Sequence, residues 1–233
     1  MESRPEPNIS PMTPDVALSA IAKADGNTTV ILDFDETLLL RNSTAEYINA
    51  LRPRLVGFIL IFLLKIIRPW KWLPYPWGGK PTRDWFLVMI PTLLLPWTLW
   101  LWQRQAKDIA AAYSNSELVS AIQKNPTASV IVASLGFNFI IEPILKQMPL
   151  KCDRLVGCRF WRGAGDRHLG KLAMMEQILS ADQLQSTILV TDSHDDLPLL
   201  QVVGQPCLVL WSLAQYIDPF TDFWLYRWLK QGK

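Results

Sequence analysis

Short apolar runs rich in β-branched residues recur along the chain and alternate with stretches of helical periodicity. Continuous apolar runs bounded by turn residues are typical of buried parallel strands. The predicted strands are residues 28–34, 128–134, 154–160, 186–192 and 206–211. The predicted helical stretches between and after them are residues 115–125, 137–148, 168–180 and 195–203. This alternation predicts an α/β fold, a Rossmann-like parallel sheet with helices on both faces, in which ligands bind at the carboxyl ends of the strands.

The interval between the first two predicted strands is far longer than a single crossover helix requires. It contains two apolar runs, residues 55–67 with Lys65 inside, and residues 85–102. We therefore predict an inserted, helical and hydrophobic cap after the first strand. The predicted division is a flexible tail at 1–14, a catalytic core at 15–43 and 108–233, and the inserted cap at 44–107. The predicted tail lacks the apolar run of a signal peptide, so we expect none.

Composition adds a second property to this fold. Half of the residues are hydrophobic and 19% are charged, which excludes a disordered chain. The 11 tryptophans and the mean hydropathy of +0.14 exceed what is usual for a soluble enzyme. The net charge of +2 combines +7 in residues 51–110, where nine basic residues outnumber two acids, with −5 elsewhere. The composition thus indicates a basic, apolar insert that meets lipid or a large apolar partner.

The apolar and basic composition of the cap predicts contact with a membrane through residues 55–102. Both parts of the core must lie on one side of a bilayer, so the cap crosses it twice or not at all, and the second run alone reaches the length of a span. Seven of the 11 tryptophans lie between residues 70 and 102, among basic residues, as at a lipid headgroup interface. Basic residues flank both runs, which favours a helical hairpin that is re-entrant or lies in the membrane plane. We expect the catalytic domain to be cytoplasmic. A buried cap that packs on its own domain is the alternative.

Carboxylates follow the first and fourth predicted strands. Asp33 and Asp35 end the first strand, and the two-residue period of a strand points both to the same side. Asp192, Asp195 and Asp196 end the fourth strand. Carboxylates at close range are unstable without a cation, and oxygen ligands select a hard ion, so we expect magnesium as the cofactor.

A hydroxyl and an amine complete this predicted edge. Ser134 ends the second strand, and Lys171 opens the helix after the third strand. Phosphate oxygens need hydrogen-bond donors and a positive charge, which these two side chains supply. Each signal has an ordinary alternative, such as a turn that caps a helix, but their common placement at strand ends favours a site for a phosphorylated substrate.

The sequence resembles the haloacid dehalogenase superfamily, in particular its phosphoserine-phosphatase-like subgroup. The resemblance rests on VILDFDETLL, VIVAS, HLGKL and ILVTDSHDDLPLL, in that order. It implies Asp33 as nucleophile, Asp35 as general acid and base, Thr37, Ser134 and Lys171 as phosphate ligands, Asp33, Asp35 and Asp192 as metal ligands, and Asp195 and Asp196 as supporting residues. The chain departs from the pattern at Thr191, usually glycine, at Leu135, usually small, and at Asp195, often asparagine.

The resemblance implies a magnesium-dependent phosphomonoesterase that works through an aspartyl phosphate. The membrane-seated cap adds the expectation of a lipid-linked or membrane-presented phosphate, and the apolar cap also resembles the domain that accompanies UbiA-type prenyltransferases. The alternatives are a phosphatase for soluble metabolites and a non-catalytic accessory protein of a membrane complex. A protein phosphatase fits less well, because the cap would obstruct a bulky chain. We expect no nucleic-acid partner.

Overall fold

One sheet of five parallel strands organises the chain. The computed structural model describes residues 10–223. The strands are β1 (Thr29–Leu32), β2 (Ser129–Phe137), β3 (Arg154–Cys158), β4 (Thr187–Thr191) and β5 (Gln205–Leu208), in the spatial order β3-β2-β1-β4-β5. All neighbours pair in parallel, which confirms the predicted α/β class. Residues 1–9 of the predicted tail and residues 224–233 of the predicted core lie outside the described residues.

Helices connect these strands, and four of them overlap the four predicted helical stretches. They are α1 (Pro14–Lys23), α2 (Ser43–Asn49), α3 (Arg54–Ile67), α4 (Arg83–Leu94), α5 (Thr98–Tyr113), α6 (Ser116–Lys124), α7 (Asn138–Leu145), α8 (Gly163–Glu176), α9 (Ala181–Gln185) and α10 (Leu197–Leu200). Short 3-10 turns occupy Pro69–Lys71, Lys80–Thr82 and His194–Asp196. The predicted boundaries between core and cap, at 43/44 and 107/108, fall inside α2 and α5, and the division itself stays a prediction.

Both faces of the sheet are covered. Side chains alternate across a strand, so Val30 and Leu32 of β1 join one apolar cluster while Ile31 joins the other. The first cluster contains α1, α6, α7 and the insert, and the second contains α8, α9 and α10. The parallel strands are therefore buried on both sides, as their continuous apolar runs predict.

The insert shares its core with the sheet. Trp70, Trp85 and Trp102 are buried, and they belong to the same cluster as Val30. The other four tryptophans of this region are exposed, namely Trp72, Trp77, Trp97 and Trp100. Part of the insert is thus a packed extension of the core, as in the alternative of a buried cap, and part is an apolar outer surface.

Helix α3 is apolar on two faces. Phe58, Ile61 and Leu64 are buried against the core. The opposite face exposes Leu55, Val56, Ile59, Phe62, Leu63, Ile66 and Ile67. We call these seven residues the α3 outer face. Among residues 10–223 no single helix is long and apolar enough to cross a membrane, although Lys80–Leu94 and Thr98–Tyr113 pass this test as a pair bent by 116°.

Two local irregularities shape the carboxyl edge. The pairing of β2 with β3 shifts register between Ala133 and Phe137, so β2 continues past the predicted end at Ser134. Helix α8 begins earlier than predicted and breaks at Gly170, whose φ of +81° is unfavourable for other residues. Lys171 is the first residue after this break, which places its side chain toward the strand ends.

Candidate active site

A cavity of about 450 Å³ lies at the carboxyl ends of the strands, beneath the insert. Its polar floor comes from the core, with Asp33, Asp35, Ser134, Lys171, Asp192, Asp195 and Asp196. The insert contributes Ile61 and Lys65 from α3 and Arg83, Asp84 and Leu87 from α4. The structure thus brings seven of the eight predicted site residues, all except Thr37, to one cavity beneath the insert.

Asp33 occupies the centre of this floor. Its backbone N–H donates to the Val190 carbonyl at 2.9 Å, which places it directly beside the end of β4. Its Oδ1 accepts from the backbone N–H of Phe34 at 2.7 Å and lies 2.9 Å from the Lys171 ammonium. Only 6% of the residue surface is exposed, so the carboxylate is held in one place.

Lys171 links two buried carboxylates. Its ammonium lies 2.9 Å from Asp33 Oδ1 and 2.6 Å from Asp196 Oδ2. Burial raises the pKa of Asp33 to about 7, and the charge of Lys171 opposes that rise. Burial also acts against the charge of Lys171, but the two carboxylates outweigh it and raise the lysine pKa. Lys171 therefore remains charged next to Asp33.

Thr191 supports the same group of charges. Its hydroxyl lies 2.5 Å from Asp196 Oδ2 and 3.1 Å from Asp33 Oδ2, and it accepts from the backbone N–H of Ser193 at 3.2 Å. The residue is fully buried and does not line the cavity. The threonine in place of the usual glycine thus supplies a hydroxyl behind Asp33. Leu135, another departure from the family pattern, lines the cavity itself.

Asp35 lies beside Ser134 on the same floor. Its Oδ1 accepts from the backbone N–H of Ser43 at 2.5 Å, at the start of α2, and its Oδ2 lies 3.5 Å from the Ser134 hydroxyl. Burial raises the pKa of Asp35. Gly136 leaves the space between them, because a Cβ there would meet the Ser134 hydroxyl at 3.1 Å and Asp35 Oδ2 at 3.2 Å. A protonated Asp35 is the form able to donate a proton.

Thr37 is placed differently from the prediction. Its hydroxyl donates to Asp192 Oδ1 at 2.9 Å and accepts from the Asp192 backbone N–H at 3.1 Å. It is fully buried and does not line the cavity. The structure therefore gives Thr37 the task of orienting Asp192, whereas the predicted phosphate contact would require this hydroxyl to turn away from its partner.

Asp195 and Asp196 differ in their surroundings. Asp196 is buried and binds Lys171, while Asp195 is exposed at the rim of the cavity. The two residues share one 3-10 turn, which points adjacent side chains in different directions. Of these two predicted supporting residues, Asp196 is thus the one that contacts Lys171, the lysine that also pairs with Asp33.

The donor set fits magnesium in its chemistry. Asp33, Asp35 and Asp192 supply hard oxygen atoms from two adjacent strand ends to one cavity. Within residues 10–223 no three acidic, histidine or cysteine side chains stand close enough to form a ready-made metal cage. Magnesium does not need one, because it keeps several waters and binds through one or two carboxylates together with substrate phosphate.

Four further residues of the cavity do not follow from the strand-end pattern. Arg167 donates to Asp84 Oδ2 at 3.1 Å, and Lys65 and Arg83 reach the cavity from the insert. The sequence gives an indication for Lys65 alone, since a charge inside an apolar run needs a polar environment. Nothing in the sequence indicates the other three, because their approach to the strand ends depends on how the insert folds back over the sheet.

The sequence matches the haloacid dehalogenase-like hydrolases over residues 30–201, from β1 through α10. The chain belongs to this family. The match contains all four segments on which the resemblance rests, and it confirms that resemblance. A search of curated proteins finds no significant match. As a haloacid dehalogenase-like hydrolase, the chain is an enzyme. All four of these segments contribute residues to the cavity described above.

Solved structures with some similarity to this hydrolase include a protein of unknown function from Bordetella pertussis Tohama I. It shows 15% identity and a TM-score of 0.48, with 90% of this chain and 96% of that chain covered. A phosphoserine phosphohydrolase-like protein from Francisella tularensis subsp. tularensis SCHU S4 shows 13% identity and a TM-score of 0.43, with 82% and 86% covered. Similarity at this level adds nothing to the family assignment.

Proposed function

We propose that this hydrolase is a magnesium-dependent phosphomonoesterase that works through an aspartyl phosphate on Asp33. The observation that carries the proposal is the contact of a buried carboxylate with a buried cation, Asp33 Oδ1 to Lys171 Nζ at 2.9 Å, on the floor of the cavity beneath the insert. A carboxylate nucleophile must approach a negative phosphate, and a fixed positive charge lowers the repulsion between them.

The side chains divide the reaction between them. A carboxylate oxygen of Asp33 attacks phosphorus and forms the new P–O bond, while the bond from phosphorus to the ester oxygen breaks. Protonated Asp35 gives its proton to the departing oxygen and then, as a carboxylate, takes a proton from the water that hydrolyses the aspartyl phosphate. Lys171 and Ser134 hold the phosphate oxygens. Magnesium held by Asp33, Asp35 and Asp192 would neutralise charge on the transferred group.

Magnesium-dependent phosphate release tests this proposal. We expect the purified full chain to release inorganic phosphate from p-nitrophenyl phosphate with magnesium, and to lose this activity with excess EDTA. Added magnesium should restore it, because three carboxylates around one phosphate site need a hard cation. Undiminished turnover in EDTA would contradict the metal requirement, and absence of turnover across soluble and lipid phosphates would contradict the phosphatase proposal.

The substrate that we propose is presented at a membrane surface. The α3 outer face exposes seven apolar side chains, with Ile66 59% exposed, and the same helix lines the catalytic cavity through Ile61. Exposed apolar surface of this extent is typical of an interaction site. The insert also carries a positive net charge, which attracts anionic lipid. A helix lying in the bilayer interface would place the cavity beside a lipid-linked phosphate.

Vesicle sedimentation tests the membrane contact. We expect the full chain to sediment with vesicles of phosphatidylcholine and phosphatidylglycerol, and a variant with Ile59, Phe62 and Ile66 changed to serine to bind at least about tenfold more weakly, since it loses apolar surface. A variant with Leu210 and Leu213 changed to serine is the control, because both are exposed and lie outside the insert. Full recovery of the unchanged protein in the supernatant would favour a phosphatase for soluble metabolites.

A further inference from the structure

A second cavity of about 300 Å³ adjoins the catalytic cavity. It is lined by Lys65, Arg68, Trp70, Lys71 and Arg83, and we call it the basic cavity. Lys65 and Arg83 line both cavities, so the two spaces meet at these side chains. The mechanism above uses neither of them, and among residues 10–223 no acidic side chain lines the basic cavity.

The sequence of α3 and the following turn places these charges together. Ile61 and Lys65 are one helical turn apart, so they share the face of α3 that borders the catalytic cavity. The helix ends at Arg68 in a left-handed conformation, and the 3-10 turn Pro69–Lys71 then brings Trp70 and Lys71 back to the same space. Trp70 is 8% exposed and forms an apolar wall.

Three of the four basic residues of this cavity form no ion pair with the described residues. Within residues 10–223, no ion pair involves Arg68, Lys71 or Arg83. Asp84, which follows Arg83 in α4, faces Arg167 at 3.1 Å instead. Arg68, Lys71 and Arg83 are exposed, so solvent screens part of the repulsion among these cations, and an anion between them would lower the rest.

We propose that the basic cavity binds a second phosphate-type oxyanion while the scissile phosphate occupies the catalytic cavity. This inference rests on the proposed function and names its substrate class, a phosphomonoester that presents a second phosphate beside the first. The second group belongs either to the substrate molecule or to the headgroup of a neighbouring anionic lipid. Arginine and lysine are the side chains that recognise phosphate oxygens, through charge-assisted hydrogen bonds.

Binding of alkylene bisphosphonates tests the first source. These compounds carry two phosphonate groups on one carbon chain and are not hydrolysed, and an alkylphosphonate of equal length carries one. By calorimetry on the full chain with magnesium, we expect the best-fitting bisphosphonate to bind about tenfold more tightly than its matched monophosphonate. The double variant Arg68→Gln/Lys71→Gln, whose two residues line the basic cavity alone, should lose this gain.

The control for these variants is Lys80→Gln/Lys107→Gln. Both lysines are exposed, neither lines either cavity, and the change of net charge is the same. It should keep the tenfold gain, because a general loss of positive charge is not the cause. Lys65 and Arg83 are left unchanged, since both also line the catalytic cavity and their replacement would affect it.

Vesicles test the second source. We compare phosphatidylcholine vesicles with vesicles that also contain phosphatidic acid. Selective loss of phosphatidic acid binding in Arg68→Gln/Lys71→Gln, without a bisphosphonate gain in the unchanged protein, would identify the second oxyanion as a lipid headgroup. The inference is overturned if neither ligand is preferred, or if a preference survives the double variant. Because these readouts measure binding, failure of p-nitrophenyl phosphate turnover would count against the proposed function alone.

Discussion

Asn in place of Asp33 is expected to lower phosphate release by at least about 1,000-fold while leaving the fold intact. An amide oxygen is a poor nucleophile and cannot form the aspartyl phosphate, so the first chemical step is lost. The amide still accepts from the Phe34 N–H, which now holds Asp33 Oδ1 at 2.7 Å. The measurement is phosphate release from p-nitrophenyl phosphate in saturating magnesium, with circular dichroism to verify the fold.

Asp108→Asn is the matched control for this variant. Asp108 is exposed on α5 and does not line the catalytic cavity, and the chemical change is identical. We expect unchanged turnover, because the loss in Asp33→Asn comes from the missing nucleophile and not from one negative charge fewer. Activity of Asp33→Asn within tenfold of the unchanged enzyme would refute Asp33 as the nucleophile.

Replacing Lys171 by methionine is expected to destabilise the fold by about 3–5 kcal/mol as well as to abolish turnover. The lysine is 7% exposed, and it lies between two carboxylates, Asp33 and Asp196, that are themselves buried. Methionine fills a similar volume without charge, so both carboxylates lose their counter-charge. Urea unfolding measures the change, and Lys124→Met at the exposed end of α6 provides the control.

The stability loss in Lys171→Met should grow as the pH rises. Burial raises the pKa of Asp33 from its ordinary 3.8 to about 7, and Lys171→Met removes the positive charge that opposes this rise. A carboxyl with a raised pKa binds its proton more tightly in the folded state, so stability is greatest below 3.8 and falls as the pH passes the folded value. We therefore expect a larger deficit at pH 8 than at pH 5. A deficit that shrinks toward pH 8 would show that Lys171 does not compensate buried charge.

Local pattern was sufficient for the fold of the core. The run at 186–192 becomes β4 at Thr187–Thr191, and the run at 128–134 becomes the buried part of β2. Burial on both faces leaves a continuous apolar run, and this signal does not depend on distant residues. The same reasoning placed Asp33 and Asp192 at one edge of the sheet, since parallel strands finish there. That β1 and β4 are neighbours follows from the structure alone.

The sequence pattern did not predict the contacts of a side chain that lies near several polar groups. The sequence predicts that Asp33, Asp35 and Thr37 all contact one site. In the structure, Thr37 binds Asp192 and does not line the cavity. Asp195 and Asp196 are equivalent as sequence, yet only Asp196 meets Lys171. Such choices follow from distances between segments far apart in the chain, here 155 residues between Thr37 and Asp192.

The sequence by itself determined the class of this protein, a parallel α/β hydrolase with acidic strand ends, because periodicity and strand-end chemistry are local properties. It also determined that the insert is apolar and basic. Only the tertiary structure decided that α3 buries one apolar face and exposes the other. It also decided that Lys65 and Arg83 join the catalytic cavity to the basic cavity. Contacts between an insert and the sheet depend on how the chain returns, and no single segment encodes that path.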